Sequence, residues 1–586
     1  MKAHIEVLTG NYAISRGFVE AGVGLAAAYP GTPSSEILPG IVEFKKREGE
    51  SVHTEWSVNE RCAMEVAFGA ALSGKKAVCM MKQVGLNVAF PPLLKGKDKT
   101  LQGGLVIVSC DDPGPQSSQT EQDTRLLAAL FGIPVFDPAS PKEGGDMAYY
   151  ALNYAFAHKT PVIIRPTHRV SHAREAVQLF TPGTRMVTLD EGLKLTGKEK
   201  LGIVSSGMSC SIVMDVVAEL GLEHQISLFK VAQIFPLRRE VMDFARSVNS
   251  VLVLEETDAV LEALLGEGVR VLGRRNGCVP AQGELTYDVI RDVVQRVAEK
   301  AGLNARWFVP DGAVDETMKE VTVQPRPPKL CAGCSHRASF FAMKQAFPDA
   351  IFPGDIGCYT LGISMGAVDT CLDMGAGVTL AAGFYDTFHQ DGALIPILAS
   401  VGDSTFFHAC LSSLYDAVRN NRRFTLVIMD NGTTAMTGMQ PTPQSGITAD
   451  GTQGGRILIE DVIKGFGIGF IKILDPYDVD HMIASLKEAQ AYLEGDGKGP
   501  AVIVARRECM LFSKGRDATM MEVVPLEEDC VGCKRCLDQF GCPAVSFDWN
   551  RNRVIIVVRL CVKCGICLIA CKMIRPKKKG KTKLTL

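Results

Sequence analysis

Apolar runs alternate with stretches at helical spacing from the start of the chain. Gly22 to Tyr29, Lys76 to Met81, Gly104 to Cys110 and Pro161 to Arg165 are each followed by a turn or helix signal, such as the helix expected over Arg61 to Ser73. That alternation predicts buried strands of a parallel sheet with helices between them. A second block of the same kind runs from Lys200 to Gly302, with strands at Leu201 to Val204 and Val251 to Leu254 and helical spacing from Ser211 to Leu220. Val309 to Pro328 reads as a linker, closing in Gln324-Pro325-Arg326-Pro327-Pro328. A third α/β block reaches Arg507, and the tail from Leu526 is short, dense in cysteine and basic at its end.

Length and composition narrow the classes. The chain has 586 residues, enough for about four domains. With 46% hydrophobic and 22% charged residues it excludes disorder and collagen-like repetition. A formal net charge of -2 gives no reason to expect wholesale nucleic-acid binding. No apolar run reaches the roughly 18 residues of a membrane span. The start, Met1-Lys2-Ala3-His4-Ile5-Glu6, lacks the pattern of an export signal, so a cytoplasmic protein is expected. Gly22-Val23-Gly24 is a dinucleotide fingerprint without its third glycine, and no Walker-type phosphate loop is present.

The cysteines carry chemistry. Of nineteen, eight fall between Cys530 and Cys571, which suits metal ligation rather than a disulfide framework. Cys530, Cys533 and Cys536 form a Cys-x2-Cys-x2-Cys triplet with Cys542-Pro543 beyond it; Cys561, Cys564 and Cys567 repeat the triplet with Cys571 beyond. This is the pattern of a bacterial two-cluster ferredoxin, in which three cysteines of one triplet hold one [4Fe-4S] cubane and the fourth serves the other. One set is then Cys530, Cys533, Cys536 and Cys571, and the second Cys561, Cys564, Cys567 and Cys542. Five residues, not three, precede Cys542, and Lys572 stands where a proline is usual. Zinc is the alternative, because Cys-x2-Cys also suits tetrahedral ligation.

A second signal lies in the third block. The strand Ile395 to Val401 ends in Gly402-Asp403-Ser404; a helical stretch, Phe406 to Arg419, comes next; then the strand Phe424 to Met429 ends in Asp430-Asn431-Gly432. Two oxygen ligands thus fall at the carboxyl ends of successive parallel strands, where α/β sheets bind ligands. One carboxylate and one amide suit Mg2+, although either dipeptide alone is also an ordinary turn. The arrangement resembles the thiamine diphosphate motif. That resemblance implies Asp403 and Asn431 as side-chain ligands and the Thr433 carbonyl as the third, with Ser404 in place of the usual glycine.

Thiamine diphosphate together with a ferredoxin module resembles the 2-oxoacid:ferredoxin oxidoreductases, most closely the alpha-subunit family of the indolepyruvate:ferredoxin oxidoreductases. The stretches that carry the resemblance are Tyr29-Pro30-Gly31-Thr32-Pro33-Ser34-Ser35, Asn59-Glu60, Met81-Lys82-Gln83-Val84-Gly85-Leu86-Asn87 and Ser117-Ser118-Gln119-Thr120-Glu121-Gln122-Asp123, then Cys331-Ala332-Gly333-Cys334-Ser335-His336-Arg337 and Gly354-Asp355-Ile356-Gly357-Cys358-Tyr359.

The implied fold is α/β. It comprises a pyrimidine-binding thiamine diphosphate domain (1–180), a transketolase-C-like α/β domain (195–305), a linker (306–328), a diphosphate- and Mg-binding domain (329–515), a ferredoxin-like α+β domain with two [4Fe-4S] clusters (520–575) and a basic tail (576–586).

The resemblance also implies roles. Glu60 would hydrogen-bond the aminopyrimidine ring, Thr32 would lie near the substrate and Arg125 would pair with the substrate carboxylate. Gly357, Cys358 and Ser404 would adjoin the cofactor. Cys331, Cys334, Cys358 and Cys509 would hold a third, proximal cubane, with plain buried thiols as the alternative. The implied activity is ferredoxin-dependent oxidative decarboxylation of aryl-2-oxo acids such as indolepyruvate or phenylpyruvate, with coenzyme A accepting the acyl group. A smaller beta subunit in an α2β2 assembly, ferredoxin as acceptor and an anaerobic setting are implied by the same family. Pyruvate, 2-oxoglutarate or branched-chain substrates, or a non-catalytic electron-transfer subunit, are the competing readings. The tail from Lys572 to Lys583 carries seven cations and no acid, which suits either a solvated end or the docking of an acidic ferredoxin.

Overall fold

The computed structural model describes residues 4–197, 200–266, 268–306, 312–321, 327–392, 395–513, 523–525 and 530–576. Chain contacts divide the protein into two compact units, Met1–Thr322 with Thr448–Gly451, and Val323–Ile447 with Thr452–Leu586.

The first unit contains three sheets. β1 (His4–Thr9) pairs antiparallel with β8 (Arg174–Leu179). The main sheet has seven strands in the order β12-β6-β7-β5-β4-β2-β3. These are β2 (Leu25–Ala28), β3 (His53–Trp56), β4 (Lys76–Lys82), β5 (Gly104–Cys110), β6 (Val135–Phe136), β7 (Pro161–Ile164) and β12 (Gln233–Phe235). Every pair is parallel except β12 with β6. A five-stranded sheet has the order β14-β13-β10-β11-β9, with only β9 antiparallel. It consists of β9 (Gly192–Leu195), β10 (Gly202–Ser206), β11 (Ser227–Val231), β13 (Val251–Leu254) and β14 (Val271–Leu272). All seven residues of β5 are buried, as expected of a central parallel strand covered on both faces. β12 comes from the second sequence block yet completes the first sheet, a long-range pairing that local periodicity does not encode.

The second unit is built on the parallel sheet β15-β16-β18-β17: β15 (Leu398–Gly402), β16 (Thr425–Asp430), β17 (Phe470–Leu474) and β18 (Ala501–Arg506). The expected helix after Gly402 begins as a short turn, Asp403–Thr405, widens into a π-helical turn at Phe406–Cys410 and becomes α-helical at Leu411–Arg419. At the chain's end, β19 (Val523–Pro525) pairs with β22 (Ile574–Pro576), and β20 (Val545–Asp548) forms a hairpin with β21 (Arg553–Ile556). Part of the expected linker is a helix, Gly312–Glu320, because Ala, Glu, Met and Lys favour helix and the prolines, Pro310 before it and Pro325 onward after it, lie outside it. Among the described residues no helix is long and apolar enough to cross a membrane.

Candidate functional site

In the second unit, adjacent strands β15 and β16 run in register, Gly402 beside Met429, so Asp403 and Asn431 leave the sheet at the same edge. Asp403 is buried, and its two carboxylate oxygens accept the backbone N–H groups of Ser404 and Gly432, each at 2.8 Å. Burial, and then the charge of Asp430, push its carboxyl up to about 8. Asp430 has its own cation: Arg506 donates to it at 2.6 Å, and Gln444 adds a bond at 2.8 Å. Asp403 has no basic partner in any ion pair among the described residues, so no cation within them offsets the rise in its pKa, whereas Asp430 is paired with Arg506. Asn431 Oδ1 accepts the Thr433 N–H at 3.0 Å, and Asn431 Nδ2 lies 3.2 Å from His336 Nε2. Burial holds His336 down at about 4, so its ring is neutral and can accept from the amide. A buried, unanswered carboxylate beside an oriented amide is a donor set of hard oxygens that fits Mg2+.

The strand end is sealed by Tyr359. Its ring occupies the space where side chains at Gly357 and Gly402 would go, and its hydroxyl donates to the Ile356 carbonyl at 2.7 Å. Ser404 in place of the usual glycine needs no special backbone; its φ is not positive, and its N–H caps Asp403.

The cysteines group by their mutual electrostatics. Cys536 is pushed up to about 11, first by burial and then by Cys571, Cys533 and Cys530. Cys567 is pushed up to about 12 by burial and by Cys564, Cys542 and Cys561. Cys358 is likewise pushed up to about 12, by burial and by Cys334, Cys509 and Cys331. Each of these three thiols thus has three other cysteines near enough for their charges to act on it. Among the described residues no three His, Cys, Asp or Glu side chains are already closed into a metal-ligand set. The thiols are neighbours, not at ligation distance.

Local backbone turns explain the grouping. Left-handed residues fall at Gly532 and Lys534 in the first triplet, at Lys563 and Gly565 in the second, and at Gly333 in the Cys331-Cys334 loop. Each turns the chain between closely spaced cysteines. Backbone N–H groups also point at sulfur, Val554 to Cys530 and Lys563 to Cys561, both at 3.4 Å. A cavity lined by Cys542, Cys561, Cys564 and Cys567 is bordered by Ala332, Gly333 and Arg337. The two extra residues before Cys542 are absorbed by a turn of helix, Arg535–Asp538, and a left-handed Gly541.

Arg337, for which the sequence suggested no role, is buried between two of these groups. The charges of Cys542, Cys334, Cys331 and Cys564 all act on it, and it donates to the Phe540 carbonyl at 2.5 Å. The stretch Cys334 to Arg337 was a signal for it, read only for its cysteines. Cys410 is a plain buried thiol; Cys371 is half-buried, 3.7 Å from the Asp355 carbonyl.

In the first unit, Thr32, Glu60 and Lys82 come from the carboxyl ends of neighbouring strands β2, β3 and β4. Glu60 is buried and opens the helix Glu60–Leu72, which Asn59 caps through a bond from the Cys62 N–H at 2.9 Å. A Cβ at Gly85 would lie 2.5 Å from Glu60 Oε1, so only glycine fits beside this carboxylate. The motif stretches from the sequence converge here: Ser117 donates to the Thr32 carbonyl at 3.3 Å, Gln83 to Ser118 at 3.0 Å and Asn87 to Gln122 at 2.9 Å.

Arg125 departs from the expectation. It is wholly buried and its guanidinium is engaged: Asp123 at 2.6 and 2.9 Å, Glu255 at 2.9 Å and the Asp258 carbonyl at 2.9 Å. Burial opposes its charge, but Asp123 and Glu255 hold its pKa above the ordinary value. Four of its five N–H donors are thus spent within the chain, and with no exposed surface the side chain ties these loops together, which corrects the expected role to a structural one. The tail beyond Pro576 lies outside the described residues; Lys572 and Arg575 are exposed.

Comparison with known proteins gives the class. Residues 355–505 match the thiamine pyrophosphate enzyme, C-terminal TPP binding domain, and residues 16–243 match the thiamine diphosphate-binding domain of the pyruvate flavodoxin/ferredoxin oxidoreductases. The protein is therefore a thiamine diphosphate-dependent 2-oxoacid oxidoreductase. Over nearly its whole length the chain is similar to indolepyruvate oxidoreductase subunit IorA of Thermococcus kodakarensis, at 35% identity over 98% of this chain and 97% of that one. It is 36% identical to the subunit of the same name from Archaeoglobus fulgidus, over 97% of each. The chain belongs to this indolepyruvate oxidoreductase IorA family. Among solved structures, 2-oxoglutarate:ferredoxin oxidoreductase from Magnetococcus marinus is similar at a TM-score of 0.42 and 15% identity, covering 51% of this chain and 65% of that one.

The buried pairing of Arg125 makes a prediction. Arg125→Leu leaves Asp123 and Glu255 without their cation and should cost about 3–5 kcal/mol. Thermal unfolding of the purified protein checks it: a clear loss of stability, rather than a selective rise in KM for substrate, is the expected result.

Proposed function

We propose that this chain is the catalytic subunit of an assembly that oxidises aryl-2-oxo acids, with indolepyruvate and phenylpyruvate as the leading substrates. The reaction is R–CO–COO⁻ + CoA–SH → R–CO–S–CoA + CO2 + H⁺ + 2 e⁻, and the electrons pass singly to ferredoxin. The substrate class is supported by relatives that match nearly end to end and act, by name, on indolepyruvate.

The observation that carries the reading is the order of the three cysteine groups. The Cys509 N–H donates to the Asn431 carbonyl at 3.1 Å, which ties the first group to the Asp403–Asn431 edge. Gly333, in the Cys331-Cys334 loop, packs so closely on Val562 that a Cβ would lie 2.5 Å from it, which brings the second group alongside. Cys533 of the third group is exposed. This is a series leading away from the Asp403–Asn431 edge, as electron transfer needs; Cys331 of the first group is exposed as well.

Asp403, Asn431 and the Thr433 carbonyl would hold Mg2+ and the diphosphate, with Ser404, Gly357 and Cys358 adjoining. When bound, thiamine diphosphate supplies the carbanion that attacks the keto carbon. Glu60 holds a proton at the aminopyrimidine ring, and Thr32 lies beside the substrate. Each group of four thiols holds a [4Fe-4S] cluster, three in all. A smaller beta subunit completes an α2β2 enzyme in the cytoplasm of an anaerobe.

Electrons leave at the exposed group. Val531 and Trp549 are 80% and 72% exposed beside it, and Lys534 lies 4.2 Å from the Trp549 ring. Residues 530–576 carry eight Lys or Arg against two Asp, which suits an acidic ferredoxin; the basic tail would add to this attraction.

Three outcomes test the reading. Under strict anaerobiosis, indolepyruvate with coenzyme A should bleach the visible iron–sulfur absorbance of the copurified complex, and Asp403→Ala should abolish the bleaching. Bleaching by pyruvate alone would move the protein to a sister specificity; none with any 2-oxo acid would overturn the catalytic role. Gly85→Ala should displace Glu60 and lower turnover by about 10²-fold or more, with unchanged circular dichroism. Lys534→Glu with Arg551→Glu should raise KM for ferredoxin by about tenfold, leaving viologen reduction intact; equal ferredoxin kinetics would remove this face as the exit.

A further inference from the structure

Lys82 is the last residue of β4, at the carboxyl edge of the main sheet and between the strand ends that lead to Thr32 and Glu60. Its stem lies on the Gly31-Thr32 turn, where a Cβ at Gly31 would fall 2.9 Å from Lys82 Cγ. The side chain is half-buried, and its ammonium donates to the Ser117 carbonyl at 3.3 Å. Among the described residues no carboxylate forms an ion pair with it, although Asp112 and Glu60 are near enough for their charges to act.

The contrast with its neighbours is sharp. Arg125 is paired with Asp123 and Glu255, Arg165 with Asp111 and Asp137, and Arg169 with Glu256 and Glu284. Lys82 alone of these four cations has one neutral acceptor for three donors. Held at the strand end by one neutral oxygen, this ammonium keeps donors free for an anion. Its surroundings are also fixed, because Gln83 is bonded to Ser118 and Ser117 to Thr32.

We propose that Lys82 binds the carboxylate of the 2-oxo acid, the role that Arg125 cannot fill. The proposal rests on the reading of the chain as a 2-oxoacid oxidoreductase. The carboxylate is still present when the keto carbon is attacked, so a cation that holds it favours the bound substrate and that transition state equally. Lys82 therefore acts on KM and not on kcat. A single ammonium suits this task better than a bidentate guanidinium, which would hold the departing group harder.

The test uses the anaerobic complex as purified, with two probes that cannot be decarboxylated: 3-phenylpropionate, and its uncharged analogue 3-phenylpropanamide. In Lys82→Met, Kd for 3-phenylpropionate and KM for indolepyruvate should rise by about 10- to 100-fold, while kcat and the affinity for the amide stay unchanged. Lys82→Arg should restore carboxylate binding and lower kcat. Equal weakening of both probes would mean that Lys82 only holds the Ser117 loop, and unchanged binding of both would remove it from the site; either overturns the proposal. A wild-type complex that turns over no 2-oxo acid would instead overturn the functional reading beneath it, and this proposal with it.

Discussion

Arg125 and Arg165 lie fully buried in the first unit, and each is met by two carboxylates on strand ends and loops far apart in sequence. A charge taken out of water must be answered, or it costs several kcal/mol. That constraint sorts the ionised groups of this protein into two kinds. The Arg125–Asp123–Glu255 and Arg165–Asp111 pairs are answered by the chain itself and join the main sheet to the loop after β13. Asp430 is answered by Arg506 in the same way. Asp403 and Lys82 have no such ion-pair partner among the described residues.

The turning cysteine loops were legible because short Cys-x2-Cys spacing is a local property of sequence. The strand ends at Asp403 and Asn431 were legible for a similar reason: buried parallel strands are apolar runs, and the residues just past each run leave the sheet at one edge. Val251–Leu254 and Gly104–Cys110 fall where the apolar pattern put them. The features that were not legible depended on distant partners. The role of Arg125 is decided by Glu255, 130 residues away, and nothing near Arg125 announces that pairing. The pairing of β12 with β6 has the same character, as does the convergence of Lys82 with Thr32 and Ser117. The π-helical turn at Phe406–Cys410 was hidden because its residues also satisfy ordinary helical spacing.

Departures from family patterns have physical reasons here. Ser404 serves as well as glycine because its backbone is ordinary and its N–H is what caps Asp403. The longer spacing before Cys542 costs little because it adds a helical turn and not a strained loop. Lys572 replaces a proline at an exposed position, where ring rigidity is dispensable.

The left-handed residues of the two cysteine triplets carry a consequence of their own. Glycine and lysine exchange places between the repeats: Gly532 then Lys534 in one, Lys563 then Gly565 in the other. The repeats are thus two copies of one turning unit, and the last cysteine of each acts on the triplet of the other, Cys571 on Cys536 and Cys542 on Cys567. With the ligation proposed above, loss of one repeat would strip a thiol from both sets, so the module would be gained or lost whole.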